Sequence, residues 1–187
     1  FSEMDSNHLK SIAETEQRIN AAEIGLDEQV QSLIVRRQPT ASDLRLILAV
    51  SKIVVDLERA GDEVEKVGRL SLETLSSSKG AGIAEILRIS IEVSKMLSQA
   101  LTAFARLDLD LARDIFVRER QVDKDYQSAL RSLATFVMED PQSIGDILNV
   151  VWIARSLERV GDHATNIAEY VIYLVQGVDV RHPGINE

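Results

Sequence analysis

The chain has 187 residues, 45% of them hydrophobic, 27% charged and only 4% aromatic. Three prolines and nine glycines are too few for an all-β chain with turns at regular intervals. Thirty acids against 21 Lys plus Arg give a net charge of −9, and the absence of cysteine excludes disulfides, thiol catalysis, thiolate zinc sites and Fe–S ligation.

In chain order, the apolar spacing and the breaks predict five helices. The first runs from about Asp5 to Gln38 and stops at Gln38-Pro39-Thr40. The second runs from about Ala41 to Leu75, and the polar, glycine-bearing stretch 76–82 then reads as a linker. In the third, positions 83, 86, 90, 93, 97, 100, 104 and 107 follow a 3-4 alternation of bundle type. The fourth follows Asp108 and carries Ala112, Ile115, Val122, Tyr126, Ala129, Leu133 and Phe136 on its stripe. Asp140-Pro141 breaks the chain again, and Ser143 with Asp146 predicts a cap for the fifth helix. Apolar runs such as 150–154 fall far short of the ~18 residues of a membrane span.

The chain also repeats itself. Leu57-Glu58-Arg59-Ala60-Gly61-Asp62 returns as Leu157-Glu158-Arg159-Val160-Gly161-Asp162, offset by 100. The proline breaks recur at an offset of 102, and upstream Ile12, Glu16 and Ile19 match Ile115, Glu119 and Val122 at 103. Loops absorb such small changes of offset between copies of one helical unit. The expected architecture is all-α, a tandem repeat of two antiparallel three-helix bundles. Residues 1–78 form the first and 79–187 the second. Phe1 aligns with Phe104, so about 21 residues of a first helix are missing from the first bundle by this comparison; a genuine five-helix protein is the alternative.

Acids interrupt the apolar stripes. Glu119 stands where the fourth helix calls for an apolar residue, with Asp123 one turn on; Glu158 and Asp162 repeat the pattern on the fifth. Four residues advance about 6 Å along a helix, so each pair faces one way, and packing the two helices would gather four carboxylates in a groove. Two like charges about 4 Å apart repel by roughly 4 kcal/mol at an effective dielectric of 20. Protons, arginines or a metal must offset that; Arg59 and Arg159 point about 100° away, whereas several carboxylate oxygens suit a hard cation such as Mg, Ca, Mn or Fe. Structural ion pairs or a merely solvated face account for the same spacing. Glu58, Asp62 and Glu16 make the first-copy equivalent, with uncharged Asn20 in the fourth place. Gly61 and Gly161, between each Glu and Asp, read as bare positions where a backbone or an ion comes close. His163 reads as a surface residue, Trp152 and Tyr170 as packing residues, and Glu92 as an outward position.

The constellation resembles the PhoU family. The residues that carry the likeness are 36–45, Asp56 to Asp62, Tyr126 with Met138-Glu139-Asp140, and Ser156 to Glu169. The resemblance implies two tandem three-helix bundles whose acidic motifs hold metal ions. Those motifs fall on Glu119, Asp123, Glu158 and Asp162, and on Glu58, Asp62 and Glu16; iron, manganese, magnesium and zinc are the metals implied. It implies a negative regulator of the phosphate-starvation regulon that links the ATPase subunit of the phosphate ABC transporter to a sensor histidine kinase. Such a protein would be a cytoplasmic homodimer, peripheral to the membrane through its partners, without nucleic acid and without catalysis. One rival is a di-metal carboxylate enzyme, whose Glu-x-x-His spacing does not occur in this chain. The other is a structural helical scaffold whose acids only solvate grooves.

Overall fold

The computed structural model describes residues 3–75 and 82–180, so the linker expected at 76–82 lies outside the described residues except for Gly82. The chain forms five α-helices: α1 (Glu3–Arg37), α2 (Ala41–Leu75), α3 (Ile83–Arg106), α4 (Leu109–Glu139) and α5 (Ile144–Gln176). A 3-10 turn, Pro141–Ser143, leads into α5. Consecutive helices run antiparallel where the connections are short. Between α3 and α4 only Leu107 and Asp108 intervene: Leu107 takes φ 52°, and the Asp108 carboxylate accepts the free N–H groups of Asp110 and Leu111, both at 3.0 Å.

The entrance to α5 differs from the expected cap. Ser143 makes no side-chain cap; Asp140 caps the turn instead, accepting from the Gln142 N–H at 3.2 Å. Pro141 opens that turn, where its missing N–H costs nothing.

α5 is the centre of the molecule. It packs against α2, α3 and α4, and it buries residues on most of its circumference, from Ile147 to Ile172. The principal core joins Ile89, Val93 and Met96 of α3, Ile115 and Val122 of α4, and Ile153, Leu157 and Ile167 of α5. It continues into α2 through Ile53 and Ala60, so the two repeats share one core. On α3 the buried set is Ile89, Val93, Met96, Ala100 and Ala103. Only positions 93 and 100 belong to the stripe expected from spacing. Both neighbours, α4 and α5, draw apolar residues from α3, which makes its apolar face too wide for the period to fix the phase.

The repeat is visible in burial. Ile115, Val122 and Ala129 of α4 are buried under α3, whereas their first-copy equivalents Ile12, Ile19 and Leu26 line an open apolar groove of about 550 Å³ with α2. No described residue of α1 is fully buried.

α2 and α5 cross antiparallel, and their contacts obey the repeat. The Asp56 carboxylate receives His163 Nδ1 at 2.8 Å and Asn166 Nδ2 at 2.9 Å through the same oxygen. Farther along, Glu63 takes Arg159 at 2.7 Å with Ser156 beside it. An offset of 100 carries Asp56 to Ser156 and Glu63 to His163. Each pair is therefore the image of the other about a pseudo-twofold axis, as in an isologous interface. His163 is only 8% exposed, so the expected surface role is overturned: it is a buried contact between the repeats.

Candidate functional site

The second-copy acids do share a groove. Glu119 and Asp123 project from α4, and Glu158 and Asp162 from α5, because a four-residue step keeps each pair on one face. Glu119, Glu158 and Asp162 are half-buried, and Asp123 is exposed at the mouth.

Their electrostatics are strained in one direction. Burial pushes the Glu119 carboxyl above its ordinary range, and Asp123 and Asp162 push it further. Burial also raises Glu158, with Asp162 the next cause. Asp162 is raised first by burial, against the lowering influence of Arg155, with Asp123 opposing it again. The neutralising arrangement is incomplete: Arg155 reaches Glu158 Oε1 at 2.7 Å, but Glu158 Oε2 is buried without a hydrogen-bond partner. Thr165, buried beside Glu119, has a hydroxyl that also lacks a partner of good geometry. Orphaned oxygen donors and carboxylates held at raised pKa are what a hard cation relieves. The donor chemistry thus fits a cation, although among the described residues no three His, Asp or Glu side chains close around a single point.

The first-copy groove is built from Glu16 and Asn20 on α1 and Glu58 and Asp62 on α2. Asn20 Nδ2 donates to Glu16 Oε1, while Asn20 Oδ1 is buried and unpaired. Burial raises the Glu58 pKa, followed by Asp62, then Glu23 and, more weakly, Glu16. Glu23 belongs to this acidic field and was not among the expected residues. Its seven-residue step from Glu16 is the signal that would have found it.

Of the two approaches read from the spacing of Gly61 and Gly161, a backbone or an ion, the first does not occur. A Cβ built on Gly161 would meet only the side chains of Val93, Met96 and Val122 at 3.7–3.9 Å, and one on Gly61 only Ile19 at 3.5 Å. No backbone comes close at either. Glu92 is not an outward residue either: it pairs with Arg118 of α4 at 2.5 Å and with Lys95 at 3.4 Å. Trp152, expected in the packing, is 60% exposed.

Five long helices with two repeats joined across α2 and α5, and a carboxylate groove in each repeat, define a class: tandem-repeat helical-bundle proteins with acidic grooves. The PhoU domain family model matches residues 1–71 and 86–171. The chain is 48% identical over 182 residues to a phosphate-specific transport system accessory protein PhoU homolog of Pseudomonas aeruginosa, covering 97% of this chain and 75% of that protein. It is 39% identical over 183 residues to the phosphate-specific transport system accessory protein PhoU of Escherichia coli, covering 98% and 76%. The crystal structure of PhoU from Pseudomonas aeruginosa superposes with a TM-score of 0.89 at 47% identity, covering 93% of this chain and 84% of that one. That of the phosphate transport system regulatory protein PhoU from Streptococcus pneumoniae gives 0.81 at 25%, covering 95% and 84%. The chain belongs to the PhoU family.

Proposed function

We propose that this protein is a non-enzymatic accessory regulator of phosphate-specific transport, acting by binding partners. The observation that carries this reading is the match to PhoU accessory proteins across both repeats, at up to 48% identity. No described helix is long and apolar enough to cross a membrane, in keeping with a cytoplasmic adaptor that meets the transporter from outside the bilayer. The partners in this reading are the ATPase subunit of the phosphate transporter and the sensor histidine kinase of the phosphate-starvation regulon, with the protein itself working as a homodimer.

In the same reading the acidic grooves take metal ions, iron, manganese, magnesium or zinc. Glu119, Asp123, Glu158 and Asp162 would hold the ion in the second repeat, and Glu16, Glu58 and Asp62 in the first. The bound cation supplies counter-charge to carboxylates that otherwise repel. Glu158 Oε2, which no side chain satisfies, supports this assignment. The protein's own part is to hold α4 against α5, and α1 against α2, at one spacing, and so to fix the surfaces offered to partners.

Two measurements test the halves of this reading separately. In cells lacking their own PhoU, expression of the protein should restore repression of a phosphate-starvation reporter in high phosphate. A reporter that stays induced refutes the regulatory role. Elemental mass spectrometry on protein purified without a metal column should find near-stoichiometric metal, lost in Asp123→Ala/Asp162→Ala. Equal content in both proteins refutes the metal site and leaves the regulatory role standing.

A further inference from the structure

The face of the α2–α5 seam carries a pattern that the acidic grooves do not use. Arg45, Lys52, Arg59 and Lys66 follow one another on α2 at intervals of seven residues. Seven residues are nearly two helical turns, so the four cations form one stripe about 31 Å long. The first three are set along α5. Arg45 lies over the Tyr173 ring at 5.4 Å and Lys52 over the Tyr170 ring at 5.7 Å. Arg59 lines a recess of about 250 Å³ with Lys52, Asn166, Tyr170 and Asp56, whose carboxylate is already held by His163 and Asn166, and Lys66 meets Glu63 at 3.1 Å.

α5 answers with a stripe of its own at the same interval: Trp152, Arg159, Asn166 and Tyr173. Two heptad rows wall the seam, one wholly cationic, the other aromatic and polar with one cation, Arg159, that Glu63 already pairs. Among the described residues Arg45, Lys52 and Arg59 have no carboxylate within ion-pair distance. The buried acids of the seam are engaged: Asp56 holds His163 and Asn166, and Glu63 takes Arg159 and Lys66. In a chain of net charge −9, a row of cations on one face is an uneven distribution.

We propose that the α2–α5 seam docks an acidic amphipathic helix of a partner protein, one whose carboxylates recur every seven residues. The spacing selects the occupant. A helix laid along the seam presents side chains at that interval and meets the cations in register. A lipid surface has no register and gains nothing from it. The recess between Lys52 and Arg59 takes one carboxylate of the docked helix. Trp152, 60% exposed, and Leu48, 48% exposed, offer apolar contact on either side of the row. The docking face is distinct from the carboxylate grooves and stands whether or not they bind metal.

The test uses the intact protein and a fluorescein-labelled Ala/Gln-based helical peptide of about three heptads with Glu at every seventh position. A permuted peptide of the same composition spreads its Glu residues around the helix. Fluorescence anisotropy at ~0.15 M salt should show the heptad peptide binding about tenfold tighter than the permuted one. Lys52→Glu/Arg59→Glu should weaken it at least about tenfold, and Arg131→Glu on α4 should leave it unchanged. Both cations of the double variant are exposed, and a thermal melt checks its fold; Lys52→Gln/Arg59→Gln replaces it if it unfolds. Equal binding of the two peptides, no binding of either, or unchanged binding by the double variant overturns the proposal. So does sedimentation with phosphatidylglycerol vesicles that the double variant loses while the peptides stay indistinguishable, because the row would then be reading bilayer charge alone.

Discussion

Replacing Gly161 by alanine separates two accounts of the glycine repeated in each acidic motif, packing tolerance against close approach. Gly161 lies buried in the interior of α5, between Glu158 and Asp162. An alanine there gains about 0.8–1.0 kcal/mol of helix propensity over glycine. The added methyl would touch Val93, Met96 and Val122 at 3.7–3.9 Å, ordinary van der Waals distances, so nothing must move. Burying it contributes up to about 0.8 kcal/mol more. The sum is about 1.5 kcal/mol of added stability, and in a protein of this size about 3–6 °C in Tm. Far-UV circular dichroism melts in chelator measure it, with metal content assayed in parallel. Gly82→Ala is the contrasting control. Its φ of +77° lies in the left-handed region, and its Cβ would stand 2.8 Å from both Leu133 Cδ2 and Val150 Cγ1. That variant should melt lower. A Gly161→Ala protein that melts lower than the parent, or that loses bound metal, would refute the packing argument and return the glycine to the site.

Three further outcomes follow from the contacts. Asp56→Ala removes the shared acceptor of His163 and Asn166 at the α2–α5 crossing and should cost about 2–4 kcal/mol in urea denaturation; a loss under about 0.5 kcal/mol would mean the crossing is held elsewhere. Arg118 clamps α3 to α4 by bonding Glu92 and Asp114, and Arg118→Met should cost about 1 kcal/mol at pH 7 after allowance for solvent screening. Burial would raise Glu92, but Arg118 and Lys95 hold it below its ordinary value; the bonds from Gln99 and Arg118 lower Asp114. Groups lowered in the folded state contribute stability above their unfolded pKa and lose it on acidification. The gap between parent and Arg118→Met should therefore close between pH 5 and 3, and a gap that widens in melts over that range would contradict the assignment. Glu158→Lys should reduce partner binding or stability more than Glu65→Lys, which changes an exposed position of α2; equal effects in pull-down and melting assays would detach the groove from the binding surfaces.

Much of the fold can be read from residue spacing, and the exceptions have a common cause. The limits of α2 at Ala41 and Leu75 follow from the proline break and the polar stretch beyond it. The pairing of α4 with α5 follows from a short connection, and with it the meeting of Glu119 and Asp123 with Glu158 and Asp162. Local periodicity is blind to what lies across the molecule. Asp56 and His163 are 107 residues apart, and nothing near either residue announces the other. The repeat itself held the missing information: residues exchanged by its offset are natural candidates to face each other across an axis. Glu92 and Trp152 were misplaced for the same reason, since an outward or inward position depends on where a second helix lies, not on the helix that carries the residue.

The Asp56–His163 and Glu63–Arg159 contacts also decide which halves can assemble. If two first repeats met in the geometry of the α2–α5 crossing, Asp56 of one would face Glu63 of the other, twice over, and two pairs of buried carboxylates would be left opposed. If two second repeats met, Ser156 would face His163, and Arg159 would have no acid to bind. Only the unlike halves satisfy the crossing. Sequence divergence after duplication has thus turned a self-complementary surface into a lock-and-key pair, and the covalent joining of the repeats guarantees that each half finds its proper mate and not a copy of itself.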